Sequence, residues 1–453
     1  MRPDDLNSYL ILLEQADQLR VIKALVDRHL EVATIIDRVS KGACQNRALL
    51  FEQVKNSNIP VAANLFGSCQ RVAWALGSID LQEVADKVAR DVRGFGQMSA
   101  DQAVANLCSQ SRFQPHVTVS ETSLDATKEG LGGLPALKFW PDDGGCYITL
   151  GQVVTADPQG QENCGMYRMQ VLDQQRLALH CRPTSDAAAH LNRWGRIGKP
   201  MPVAIALGGP PVLTWAAGIS LPLGVEEAAF SGYLSGRPIS LCRCQQSDLK
   251  VPATAEIVIE GEIRVGETAI EGPFGNHTGS YADITKSPIV HVRRIARRTD
   301  AIYPTTMVGP PPMEDLHMAE AALQVLSPLL KHDYPWIRKV SMPREGIYHR
   351  GAMLGIDRGA NISMADVIQV RQSSRLLRGA RMMILYDDDT ELNSPSELYW
   401  RLINVSGWQR MVRVESDCLF IDARRSRGWR DLKADRTCLS RVRGRWHEYG
   451  LDV

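Results

Sequence analysis

Between Ala255 and Val265 the residues Ala255, Ile257, Ile259, Ile263 and Val265 alternate with Glu256, Glu260, Glu262 and Arg264. That is the period of a half-buried β-strand, and it constrains the fold more than any other stretch of the chain. Ile289-Val-His-Val-Arg-Arg-Ile295 reads as a second strand. The segment between them contains Glu271-Gly-Pro-Phe-Gly-Asn276-His277-Thr-Gly-Ser-Tyr281, with three glycines, a proline, a carboxylate, an imidazole and a phenol in eleven residues. A glycine-rich connection between strands lets backbone approach a ligand closely and aims side chains at it. Composition alone favours an ordinary Gly/Pro connection with a few polar residues.

The flanks divide into three parts. Asp5 to about Arg20 has the leucine spacing of an amphipathic helix, Pro60–Gly67 reads as a short strand, and Asp80 followed by Glu83 opens a helix carrying Leu81, Val84, Val88 and Val92. This predicts an N-terminal α/β region over 1–114. Strand-like runs at 146–150 through 154, 166–172, 203–207, 257–265 and 289–295, with helices over 186–194 and 226–234, predict a barrel-like sheet with helical insertions over 115–303. Beyond the proline-rich 304–312, a helix over 318–330, a buried strand Met382–Tyr386 and a proline-led helix start at Ser394–Glu397 predict a C-terminal α/β domain over 304–453.

At 453 residues the chain has room for two or three domains, and 44% hydrophobic with 23% charged residues suits sizeable cores. A net charge of +1 gives no electrostatic footprint for nucleic acid, and no apolar run is long enough for a membrane-spanning helix. The start MRPDDLNSY lacks the apolar core of a signal peptide, so a cytoplasmic protein is expected. The ten cysteines are scattered, and the lone Cys242-Arg-Cys244 lacks the second pair of a structural zinc site; buried free thiols are expected. The acidic Asp387-Asp-Asp389 reads as a solvated strand end, and the arginines at 293, 294, 297 and 298 as a solvated strand edge.

EGPFGNHTGSY resembles the signature of the UbiD family of decarboxylases. Asn163-Cys-Gly-Met-Tyr-Arg168 is similar to the family's N-x-G-x-Y-R segment, while Leu134–Gly145 and Val251–Ile257 resemble its segments leading into barrel strands. The resemblance implies a central split β-barrel that binds flavin, and a homodimer or higher homo-oligomer built through the C-terminal region. It implies non-oxidative, reversible decarboxylation of an aromatic or α,β-unsaturated carboxylic acid by prenylated FMN, which a separate flavin prenyltransferase supplies. Mn2+ would tie down the cofactor phosphate, with K+ nearby.

Carried over position by position, Glu271 matches the catalytic glutamate and Arg168 the arginine that pairs with it. Asn163 and Glu227 match metal ligands, Met166 falls in the cofactor-binding segment, and Ala216, Ala217 and Ile219 fall where backbone carbonyls meet potassium. Three positions depart. Ser185 (or Thr184) stands where the metal-binding histidine is expected, and neither His180 nor His190 occupies that place. Asn276 replaces the loop's second carboxylate, with His277 beside it as a stand-in. Cys418 stands where a phosphate-binding lysine is expected. These departures keep a second reading open, a non-catalytic UbiD-like paralogue or partner subunit with weak cofactor binding. Phe274, Tyr281 and Tyr303 are candidate pocket aromatics.

Overall fold

The structure is a computed structural model and describes residues 2–42, 46–118, 124–222, 224–404, 411–426, 429–430, 432 and 434–451. It is a mixed α/β molecule built around one curled, half-barrel sheet. That sheet is antiparallel along its whole path, in the order Tyr147–Ile148, Met169–Val171, Arg176–Leu179, Thr285–Arg297, Ala255–Glu271, Met201–Gly208, Gln152–Ala156, Glu162–Met166.

The long strand Ala255–Glu271 pairs with Thr285–Arg297 from Ile257↔Arg297 to Glu271↔Thr285. Its first half differs from the expected half-buried strand, because both faces are covered. Ile257, Ile259 and Ile263 join Val203, Ile205 and Leu207 in the main barrel core. Val258 joins Ala204, Ala206 and Val251 in a smaller core on the other side. The glutamates on that second side are buried too, Glu256 and Glu260 each 2% exposed. Glu260 is matched across the ladder by Arg294 at 3.1 Å, Glu256 by Arg298 at 3.5 Å, and the less buried Glu262 by Arg293 at 2.5 Å. The basic run is therefore the counter-charge of the acidic one, and each buried carboxylate is tolerable because a guanidinium lies opposite. The register slips between Ile263 and Thr268, and such an irregularity bends a strand, here as it approaches Glu271.

At the N-terminal end, strands Leu19–Val26, Ala48–Val54 and Val61–Ala63 form a sheet whose fourth member is Tyr303–Thr305, so the chain returns to this sheet after leaving the barrel. The first helix is shorter than the leucine spacing predicts, ending at Gln15 because the chain turns into the strand Leu19–Val26. Asp80 caps Leu81–Arg93 by accepting from Gln82 N–H, while Glu83 bonds to Ser78 instead of completing a capping box.

Helix Glu314–Asp333 leads into the C-terminal sheet, ordered Ile337–Ser341, Gly351–Ile356, Met382–Asp387, Cys418–Asp422, Val412–Glu415. Of the acidic triplet only Asp387 is withdrawn from solvent, held by Arg425 at 2.6 Å; Asp389, which Arg425 also reaches, is exposed as expected of a strand end. None of the nine described cysteines is in a disulfide, but only Cys108, Cys242 and Cys418 are buried and Cys438 is exposed, because it lies on a helix with no buried face; Cys44 lies outside the described residues. Among the described residues, no helix is long and apolar enough to cross a membrane.

Candidate active site

Glu271 is the last residue of the long strand and is fully buried. Arg168, in the connection between Glu162–Met166 and Met169–Val171, meets it in a fork: Nε to Oε1 at 3.0 Å and Nη2 to Oε2 at 3.1 Å. His180, just past the strand Arg176–Leu179, places Nδ1 2.9 Å from Oε2, and Thr285 Oγ1 donates to the same oxygen at 3.2 Å. The Arg168 guanidinium lies 4.5 Å over the Phe274 ring, which fixes its plane. Burial pushes the Glu271 carboxyl up, but the His180 and Arg168 hydrogen bonds and the arginine charge bring it down to about 2. The resting site therefore holds a carboxylate that accepts from three side chains.

The Gly-Pro-Phe-Gly segment after Glu271 is shaped by space and hydrogen bonds. Gly272 has φ +103°, open to glycine alone at low cost. Gln170 accepts from Gly272 N–H at 2.9 Å and donates to Gly144 O at 2.8 Å, stitching two backbones together. Asp143 accepts from Gly275 N–H at 2.8 Å and from Trp140 N–H at 2.9 Å. Trp140 slides between Gly275 and Gly309. A Cβ on Gly275 would collide with its indole, and one on Gly309 would lie 2.7 Å from Cζ2.

Asn276 turns inward on its own loop, its Oδ1 accepting from His277 N–H at 2.7 Å. His277 reaches away from Glu271. Its Nδ1 lies 2.9 Å from the Tyr348 hydroxyl and 2.8 Å from Asp315 Oδ2, with His349 packed edge-on. Tyr348 comes from the C-terminal part of the chain, held with Ile347 at positive φ (45° and 43°), strained backbone for such side chains. The signature loop is thus tied to the C-terminal part through His277.

The second expected cluster sits on Glu162–Met166 and the helix ends facing it. Glu227 opens helix Glu227–Ser235 and accepts from Cys164 N–H at 3.1 Å. It is partly exposed, but protein crowds it, and desolvation pushes its carboxyl up to about 7 with no cation paired to it among the described residues. The Asn163 Nδ2 is buried without a partner. Amide N and O are interchangeable by a flip, so this position can equally present a lone-pair oxygen. A crowded carboxylate without a counter-charge and an orphaned amide fit a hard cation with oxygen ligands. Met166 packs against Gly218 at the end of helix Pro211–Ala217, where Ala216 O already accepts from Ile219 N–H at 3.3 Å.

Three further sets of expected residues make the following contacts. Ser185 caps helix Asp186–Arg196, its hydroxyl accepting from Ala188 N–H at 3.3 Å, donating to Arg182 O at 2.8 Å and lying 3.0 Å from Cys181 Sγ; Thr184 is exposed. Cys418 is fully buried with Ala352, Leu354, Val367 and Phe420 in the C-terminal core, where alternation along its strand points it inward. Phe274 and Tyr303 are core residues; only Tyr281 reaches solvent, its hydroxyl accepting from Asp142 N–H at 3.0 Å. Sequence reasoning missed His180, Thr285, Asp315, Tyr348 and His349. The only trace of His180 was its place at a strand end, and nothing in spacing joins the others to residue 271.

Residues 111–311 match the 3-octaprenyl-4-hydroxybenzoate carboxy-lyase Rift-related domain, and residues 10–90 the N-terminal domain of the same carboxy-lyase. An uncharacterized protein of Aquifex aeolicus is 34% identical over 432 residues, covering 92% of this chain and 86% of that one. Among solved structures, the closed form of Sedimentibacter hydroxybenzoicus vanillic acid decarboxylase superposes with TM-score 0.84 at 23% identity over all of both chains, and its open form with 0.75. An evolved dimeric form of the UbiD-class enzyme HmfF from Pelotomaculum thermopropionicum, in complex with prFMN, gives 0.80 at 24% identity, over 95% of this chain and 97% of that one. The fork of Arg168 on Glu271, the curled sheet that carries it and these likenesses converge: this chain belongs to the UbiD family.

Proposed function

We propose that this protein is a non-oxidative, reversible decarboxylase of an aromatic or α,β-unsaturated carboxylic acid that works with prenylated FMN. The observation that carries the reading is the buried Glu271 carboxylate held by Arg168, His180 and Thr285. When bound, the cofactor supplies the electron sink that loss of carbon dioxide needs. Asn163 and Glu227 would hold a divalent cation such as Mn2+ against its phosphate, and the carbonyls at the end of helix Pro211–Ala217 would face K+.

The protein's own part is proton control. A substrate carboxylate entering the site competes with Glu271 for the Arg168 guanidinium. As that pairing is shared, the Glu271 carboxyl moves back toward the ordinary carboxylate range and takes a proton. It then delivers that proton to the carbon that has lost carbon dioxide. His180 and Thr285 keep its oxygens in place through the cycle.

The test is to co-produce the chain with a flavin prenyltransferase, record the absorption of the bound flavin, and assay carbon dioxide release from a panel of aromatic and α,β-unsaturated acids. Flavin uptake with release that Glu271→Gln abolishes supports the reading. Flavin-loaded protein that neither releases carbon dioxide nor exchanges it overturns catalysis. A chain that takes up no flavin would be the non-catalytic paralogue or partner subunit, a reading favoured by Ser185 serving as a helix cap and Asn276 as a turn residue. A homo-oligomer through the C-terminal part is also proposed. Tyr399, Trp400 and Ile403 are 67%, 53% and 64% exposed on one helix. A monomeric mass by light scattering would overturn that part.

A further inference from the structure

A second group of metal-binding side chains lies outside the residues discussed so far. Cys69 opens the short helix Cys69–Ala75, and His317 and Glu320 share one face of helix Glu314–Asp333 at i, i+3. Cys69 Sγ lies 3.4 Å from Glu320 Oε2, and His317 Nδ1 3.1 Å from the same oxygen. The three ligand atoms all fall within 4.8 Å of one another. A tetrahedral zinc ion with ordinary bond lengths needs S···O and N···O edges of about 3.6 and 3.3 Å. Both short edges of the cluster meet that requirement within a few tenths of an ångström. Among the described residues it is the one place where three His, Cys, Asp or Glu side chains converge in this way.

We propose that Cys69, His317 and Glu320 form a binding site for a divalent transition metal of zinc type, with a fourth position open to water. A thiolate, an imidazole and a carboxylate are the donor mixture that selects zinc or cobalt over magnesium, calcium or manganese, so this site and the oxygen corner at Asn163 and Glu227 would sort different ions. On binding, the Cys69 S–H bond breaks, a sulfur–metal bond forms and the proton leaves to solvent. Because that proton must leave, affinity rises with pH. Glu320 is exposed, and its carboxylate is met by both Cys69 and His317. The metal would join the two helices that Phe66 N–H and Glu314 Oε1, 2.7 Å apart, already bring together one turn away.

The experiment is titration of the purified full-length protein with Co2+, followed by thiolate-to-cobalt charge-transfer absorption, with Zn2+ added to displace it. One equivalent of cobalt with that band is expected, displaced by zinc. The band should vanish in Cys69→Ser, and His317→Ala should weaken binding about tenfold or more. If Cys69→Ser fails to fold by circular dichroism, Glu320→Gln and His317→Ala carry the same test. Absence of the band in wild type, its persistence in Cys69→Ser, or its loss in Glu227→Gln (which would assign it to Cys164) overturns the site.

Discussion

Two glutamates beside the same half-barrel stand in opposite electrostatic states. Glu271 is fully buried yet lies at about 2, because a guanidinium, an imidazole and a hydroxyl converge on it. Glu227 keeps some solvent exposure but is crowded by protein, and desolvation lifts it to about 7 because only backbone donors offset it. Desolvation pushes both carboxyls up, and the side-chain partners at Glu271 outweigh it. One corner is complete within the chain, and the other is a carboxylate and an amide that find no side-chain partner among the described residues, where a cation is proposed.

The largest expected effect is on the complete corner. In flavin-loaded protein, Glu271→Gln should cut carbon dioxide release by roughly a hundredfold or more, the usual worth of a positioned proton donor, with an unchanged circular dichroism spectrum. Arg168→Ala leaves a buried carboxylate with its main counter-charge gone and should cost about 3–5 kcal/mol in a denaturant titration. The sign with pH follows from the lowered carboxyl. Glu271 contributes stability above its ordinary 4.5 that is lost as pH falls toward about 2. Acid unfolding between those values should therefore be gentler in the arginine variant. Equal acid profiles for the two proteins would erase the contrast between the corners.

Cys418→Lys is expected to cost roughly 3 kcal/mol or more, since it buries an ammonium among Leu354, Val367 and Phe420, and to add no flavin affinity. A gain in flavin would mean that the strand presents residue 418 to the cofactor after all.

At the incomplete corner the pH sign is reversed. A carboxyl raised to about 7 makes the metal-free protein lose stability as pH climbs from 4.5 toward 7, where the native state still holds the proton. Mn2+ should therefore raise the melting temperature more at pH 8 than at pH 5. Glu227→Gln should abolish that difference and make the metal-free protein the more stable one at pH 8. The smallest effect is expected of Tyr348→Phe, about 1 kcal/mol for one hydrogen bond to the His277–Asp315 pair, read from the melting temperature.

The legible parts of the molecule were those where side-chain period and burial agree. Ile257, Ile259 and Ile263 announced their strand, and the Arg168–Glu271 pair, matched from the family motifs, stands at bonding distance. Glu256 and Glu260 were misleading, because charge at alternate positions normally means solvent and here means a buried ladder with Arg298 and Arg294. Counting along a pattern reaches Ser185 and Cys418, but it does not show that the Ser185 hydroxyl caps a helix or that Cys418 lies in a core. His180 and Thr285 meet Glu271 only because three strands lie side by side. Tyr348 arrives from another sheet altogether.

The indole of Trp140 between Gly275 and Gly309 has a consequence for any attempt to graft or redesign the signature loop. The second glycine of Gly-Pro-Phe-Gly is a reserved space, and its tenant is encoded more than a hundred residues upstream. A transplanted loop would be under strain in a host without a matching tryptophan slot. Conversely, Gly275→Ala becomes acceptable only with a smaller residue at 140, which surrenders the Trp140 Nε1 bond to Val308 O at 2.8 Å. The unit of inheritance at this site is the pair of segments rather than the motif.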